Sequence, residues 1–77
     1  PFAHNTEISF KTQGGHTLVQ VFDTLGRLII TLVEKEYPAA TTDKITFVAE
    51  GLPTGIYYAR FQNGVTQAVW PMLKVRE

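Results

Sequence analysis

At 77 residues the chain has room for one hydrophobic core and a single domain. Its margin is thin, because a chain this short buries only roughly 60% of the surface that its unfolded form exposes. A composition of 44% hydrophobic and 18% charged residues excludes disorder, zero cysteines exclude a disulfide framework or thiolate metal site, and seven basic against seven acidic residues exclude a general electrostatic grip on nucleic acid or an anionic membrane.

The chain opens on Pro1 with no initiator Met, basic n-region or apolar h-region. Residues 1–77 are therefore expected to be one domain cut from a longer polypeptide. No apolar run approaches the roughly 18 residues of a membrane helix, so membrane insertion is not expected.

Alternation of period 2, the mark of half-buried strands, dominates from the start. Ile8 and Phe10 alternate with Glu7, Ser9 and Lys11 to give a first strand, and Gly14-Gly15 supplies a turn at positive φ without steric penalty. Thr17 to Asp23 is a second strand with Val19 and Val21 on one face. Asp23-Thr24-Leu25-Gly26 is a tight turn, since Asp bonds onward backbone and Gly tolerates the left-handed region. Leu28 to Val33 returns as a third strand, making a hairpin. Glu34, Lys35 and Glu36 fall in the connection that Pro38, Ala39 and Ala40 interrupt.

Lys44 to Ala49 is a fourth strand, with Ile45 and Phe47 facing one way, and Gly51 to Gly55 is a loop with Leu52 as an apolar plug. Ile56 to Phe61 is a fifth strand, in which Tyr57, Ala59 and Phe61 face the core and Tyr58 faces outward. Asn63-Gly64 signals a hairpin whose two central residues both take positive φ. Val65 to Val75 returns, with Pro71 at a bulge or on an edge because proline cannot donate to a ladder. Six or seven short strands joined by Gly, Pro, Asn and Asp turns predict an all-β fold, a small antiparallel immunoglobulin-like β-sandwich.

Chemistry is sparse. A nucleophilic triad has only His4 and His16 and the single Ser9 to draw on, and none forms a plausible set. His4, Glu7, His16 and Asp23 have no ligand spacing, so no metal is expected, and Glu34, Glu36, Asp43 and Glu50 fall in or beside connections with no cleft for glycoside hydrolysis. The glycines are turns, with no phosphate-loop spacing and no helix to follow. No enzyme and no cofactor is expected. The rings of Phe22, Tyr37, Tyr57, Tyr58, Phe61 and Trp70 serve either a core or a sugar-stacking platform, and Trp70 either caps the core or anchors at the surface. Lys74 and Arg76, two apart on the last strand, share a face that is either a charged, protected edge or a basic strand offered to a receptor.

Several segments, in order, resemble the type A C-terminal sorting domain of the type IX (Por) secretion system of Bacteroidetes-type bacteria. Pro1-Phe2 is similar to the end of that family's Asn-Pro-Phe opening, and Thr6 to Phe10 to its first strand. Val19 to Arg27 is similar to its strand ending in aromatic-Asp, two variable residues and Gly-Arg. Pro38-Ala39 resembles its Pro-Ala-Gly turn, with Ala40 in place of glycine. Gly51-Leu52-Pro53-Thr54-Gly55-Ile56-Tyr57 resembles its Gly-Leu-x-x-Gly-aliphatic-Tyr signature, and Met72 to Arg76 its closing strand, from which Trp70-Pro71 and the trailing Glu77 depart.

The resemblance implies a transport label. The label would lie C-terminal to a cargo domain in a longer secreted protein, pass through the periplasm, be recognised by the outer-membrane translocon, and be removed at the surface by a sortase-like cysteine peptidase, with the cargo anchored there or released. Arg27, Lys74 and Arg76 are its candidate recognition residues, and Asp23, Gly26, Gly55 and Tyr57 match its motifs in turn and core roles. The alternatives are an immunoglobulin-like structural accessory module and a carbohydrate-binding module of a secreted hydrolase.

Overall fold

The computed structural model of the chain describes residues 1–76; Glu77, the last residue of the closing segment, lies outside the described residues. Among the described residues there are six strands and no helix: β1 Asn5–Thr12, β2 Gly15–Phe22, β3 Leu28–Tyr37, β4 Thr41–Val48, β5 Gly55–Asn63 and β6 Thr66–Lys74. They form two antiparallel sheets, one of order β1-β4 and one of order β3-β2-β5-β6. The sheets pack as a small sandwich. The expected all-β immunoglobulin-like class is what forms, with six strands rather than seven.

Alternation decides which residues fill the space between the sheets. Ile8 and Phe10 come from β1, Val19 and Val21 from β2, Phe47 from β4, and Tyr57, Ala59 and Phe61 from β5, all buried. Two ring clusters divide the core. Phe10 lies against Tyr37 and Phe61, at centroid distances of 6.2 and 5.7 Å, while Phe47 lies against Phe2 and Tyr57 at 6.0 Å each. Each fully buried side chain of this size contributes roughly 1.5–3 kcal/mol relative to exposure, which is what a chain of 77 residues needs from so few positions. Leu52 packs on the core as the plug its position promises, and Trp70 is half-buried against it, so the indole caps the core.

Strand ends differ from the sequence reading, β4 for instance beginning at Thr41 rather than Lys44, and two of the differences have a clear physical reason. β3 does not stop at Val33 but continues through Glu34, Lys35 and Glu36 to Tyr37, paired along β2 down to Gly15. β3 is the edge of its sheet, so its last residues need one ladder and no apolar alternation, and exposed charges there oppose edge-to-edge pairing. The buried Tyr37 fastens that end, its hydroxyl donating to Asp43 Oδ2 across the β3–β4 turn at 2.7 Å. The second difference is the β5–β6 hairpin. Asn63 pairs with Thr66, so Gly64 and Val65 are the loop, and only Gly64 has positive φ (+60°). A glycine at the first loop position alone is the type II′ pattern.

Asn63 is held in the strand because its side chain has other work. It is buried; its Oδ1 accepts from Gln13 N–H at 2.9 Å, and its Nδ2 donates to Gly14 O at 2.9 Å, His16 O at 3.0 Å and Thr17 Oγ1 at 3.3 Å. The buried hydroxyls of Thr12 and Thr17 meet beside it at 2.8 Å. One amide thus ties the β1–β2 turn to the end of β5 and satisfies polar backbone that strand pairing leaves over.

Candidate functional site

The motif residues converge at one end of the sandwich. β2 ends at Phe22, opposite Tyr58, and leads into the Asp23–Arg27 turn; β5 begins at Gly55, opposite Lys74, where β6 ends. Asp23, Arg27, Leu52, Gly55, Ile56 and Tyr57 line one shallow depression there.

Asp23 builds the turn. Its Oδ1 accepts from the backbone N–H groups of Leu25 and Arg27, both at 2.9 Å, and its Oδ2 accepts from Arg27 Nε at 2.7 Å. The Gly26 N–H donates to Asp23 O at 3.1 Å, and Gly26 sits at φ +80° with open space where a Cβ would go. The Arg27 N–H has the largest effect and holds the Asp23 carboxyl below the ordinary carboxylate range; desolvation, next in size, works against it, and the Arg27 guanidinium and the Leu25 N–H add to the lowering. Arg27 therefore has one guanidinium nitrogen engaged, with its side chain 72% exposed.

On the opposite side of the depression, Tyr57 is buried and its hydroxyl donates to Pro53 O at 2.6 Å, four residues upstream. That bond closes the Gly51–Gly55 loop onto β5. Gly55 takes φ +141° as the loop enters the strand.

The closing strand is different from the expectation of a shared basic face. β6 ends at Lys74, which lies on the core side with Trp70 and Met72 and is only 9% exposed, whereas Arg76 lies beyond the strand and is exposed. Alternation inside the sheet turns Lys74 inward, and the strand stops before Arg76 can follow it. What the chain exposes at this end is apolar: Leu73 on β6 at 45% and Val75 just past it at 36%, beside Ile56, which pairs with Leu73.

The edge of β6 is also engaged. Phe2 lies parallel to it, its N–H donating to Leu73 O at 2.9 Å and its carbonyl accepting from Val75 N–H at 2.7 Å. Leu73 O and Val75 N–H therefore point away from β5. Main-chain groups of one strand alternate sides, so the nitrogen of Pro71 points the same way, where a missing N–H breaks no ladder. Pro71 is accommodated by an edge, without a register shift between β5 and β6.

The remaining polar candidates stay apart. His4 lies 3.6 Å from Glu50, His16 lies 3.6 Å from Glu34, and both pairs are exposed. Among the described residues no three metal-ligating groups come together. Every aromatic residue among the described ones is buried or half-buried, so no row of exposed rings forms a sugar-stacking platform. Asn63 and Phe2 are the residues that sequence reasoning passed over as contributors; Asn-Gly read as a turn and Phe2 only as a family motif, and neither long-range contact has a local pattern.

A family model described as secretion system C-terminal sorting domain matches residues 1–73. The match spans both ends of this site up to Leu73 and leaves Lys74 and Arg76 beyond it. No curated protein and no solved structure matches the chain.

Proposed function

The chain belongs to the family of secretion system C-terminal sorting domains, and with that as premise we propose that its outer-membrane translocon reads the end of the sandwich at which β6 terminates. It is a C-terminal sorting signal of type IX secretion, the family implying cargo N-terminal to it on the parent chain and export to the cell surface or the medium. This family is a sorting-signal family rather than a catalytic one.

The observation that carries the proposal is the side-chain display at this end. Leu73 and Val75 are exposed apolar groups on the last residues of the fold, with Ile56 opposite Leu73 and the cationic Arg27 in the depression that Ile56 lines. Arg76 adds a second exposed cation just past β6. An apolar centre rimmed by charge is the usual anatomy of a protein-docking patch. Lys74, turned inward, supports the strand with its stem and contributes less to recognition than Arg76. Docking at this end is by side chains, because Leu73 C=O and Val75 N–H, the groups that strand addition at the end of β6 would use, are bonded to Phe2. The domain reaches the translocon folded, from the periplasm, and a sortase-like cysteine peptidase separates it from the cargo afterwards.

The test is export of a periplasm-directed fluorescent protein fused to residues 1–77, in a bacterium with an active type IX system and in a translocon-deficient control. Translocon-dependent export is expected from the intact fusion. Deletion of Met72 to Glu77, and the pair Arg27→Gln with Arg76→Gln in a folded domain, are expected to leave the fusion in the periplasm. Export of the doubly substituted fusion at the intact level would remove both arginines from recognition.

A further inference from the structure

A cavity of about 560 Å³ opens between the free edges of β1 and β6, lined by Glu7 and Ile8 on one side and Trp70 and Met72 on the other, with Pro1 and Phe2 at one end. β1 runs back along β6 in the opposite sense. Phe47, opposite Thr6 at the start of β1, touches Tyr57, which pairs with Met72; Phe10, further along β1, touches Phe61, which pairs with Ala68. Phe2 runs the other way, parallel to β6 at Lys74. The chain after Phe2 therefore reverses through Ala3 and His4 into β1, and any residue before Pro1 heads along β6 into the groove.

The backbone there is set for such a residue. On β6 the groups of Pro71, Leu73 and Val75 face the groove, and Phe2 uses Leu73 C=O and Val75 N–H. In a parallel ladder the next two groups, Leu73 N–H and Pro71 C=O, serve the residue two positions before Phe2, which is the one immediately preceding Pro1. Beyond it Pro71 has no N–H to offer, and the ladder ends.

We propose that this groove is the seat of the parent chain's own tether: the residues immediately preceding Pro1, which join cargo to this domain, lie in it as a short strand parallel to β6. This rests on the family reading that cargo is N-terminal. Connectivity favours the tether over a strand from another protein. Phe2 is already seated with its ring against Phe47, Pro1 already lines the groove, and a covalently attached segment arrives at a high effective concentration. A paired tether is withheld from peptidases, which take extended, unpaired substrate. Separation of cargo from label then has to wait until the tether is peeled from β6, and β6 is the strand whose exposed end faces the translocon in the proposed docking.

Amide hydrogen exchange at Leu73 tests this, comparing the parent protein with isolated residues 1–77. At least tenfold slower exchange in the parent is expected. Two variants of the parent, Phe2→Ala and replacement of the residue immediately preceding Pro1 by proline, which cannot donate to Pro71 C=O, are expected to return exchange to the isolated rate. They are also expected to speed proteinase K cleavage ahead of Pro1 severalfold; where Phe2→Ala unfolds the domain, the proline variant alone carries the comparison. Equal Leu73 exchange in parent and isolated domain overturns the proposal, as does protection that arises only when translocon components are added. Translocon-dependent export of the wild-type fusion is scored alongside: retained export with an unprotected Leu73 sinks the tether and leaves the sorting signal standing, whereas a folded fusion that is not exported removes the docking reading itself.

Discussion

Single residues at this fold's joints are set by contacts far away in sequence. Asn63 occupies a site where one acceptor and two donors meet backbone and hydroxyl partners on the β1–β2 turn. Asn63→Asp keeps the size and the acceptor but turns a donor into a carboxylate facing two carbonyl oxygens. The variant is expected to lose about 3 kcal/mol of stability, the cost of stranded buried polar groups. For a domain of this size that lowers the thermal midpoint by roughly 15 °C in a circular dichroism melt. The glycines offer a paired comparison. Gly26 at φ +80° has nothing within 4 Å of an added Cβ, while Gly14 at φ +98° would bring one to 3.3 Å from the Ala39 carbonyl carbon. Gly26→Ala therefore bears only the left-handed backbone penalty, about 1 kcal/mol. Gly14→Ala bears that penalty and a backbone contact besides, so its urea midpoint is expected to fall further than that of Gly26→Ala.

At the scale of elements, the edges determine how the strands end. β3 and β4 are joined by a turn whose two sides are clamped by Tyr37 and Asp43. Burial, and then the bond to Asp43, pushes the Tyr37 hydroxyl up to about 12 from an ordinary value of 10.0. The raised value means that the folded state keeps a proton which the unfolded chain gives up. The stabilisation is complete below pH 10 and is lost as pH rises from 10 towards about 12. At the other extreme, the Tyr37 hydroxyl and then the Lys44 N–H hold Asp43 below the ordinary carboxylate range. That stabilisation is present above the ordinary carboxylate value and disappears as pH falls through the lower, folded one. Urea midpoints measured for the wild type and Tyr37→Phe should therefore differ at neutral pH and converge above pH 10. A constant difference from pH 7 to 12 would rule the clamp out as the origin of the alkaline loss.

For the molecule as a whole, Phe2 ties the two sheets together at the end where the motifs meet. Its backbone is on β6 of one sheet and its ring against Phe47 of the other. Phe2→Ala removes a half-buried ring and is expected to lower stability by about 2 kcal/mol, below the 3–5 kcal/mol of a fully buried phenylalanine. Unfolding should remain one transition, with Trp70 fluorescence and far-ultraviolet circular dichroism falling together, because both sheets close on the same core. Loss of the fluorescence signal at a lower denaturant concentration would instead mark the β6 edge as a separately opening unit.

The amino-acid sequence by itself determined the class of fold, the strand faces and the turn that carries Asp23, Gly26 and Arg27. Each of these is local, since alternation of period 2 sorts side chains between faces and a tight turn is specified by four or five neighbouring residues. The inward placement of Tyr57 and Phe61 and the outward placement of Tyr58 follow from the same alternation. Only the tertiary structure decided that charged Glu34 to Glu36 belong to a strand, because an edge position needs no apolar pattern. It also decided that Asn63 is a buried hub rather than a loop residue, that Lys74 turns inward while Arg76 does not, and that Phe2 closes on β6. These outcomes join residues as many as 73 positions apart, from Phe2 to Val75, and depend on which strand ends share an end of the sandwich. Local patterning sorts side chains between two faces, whereas which face of an edge strand is covered, and by what partner, is set by how the sheets stack.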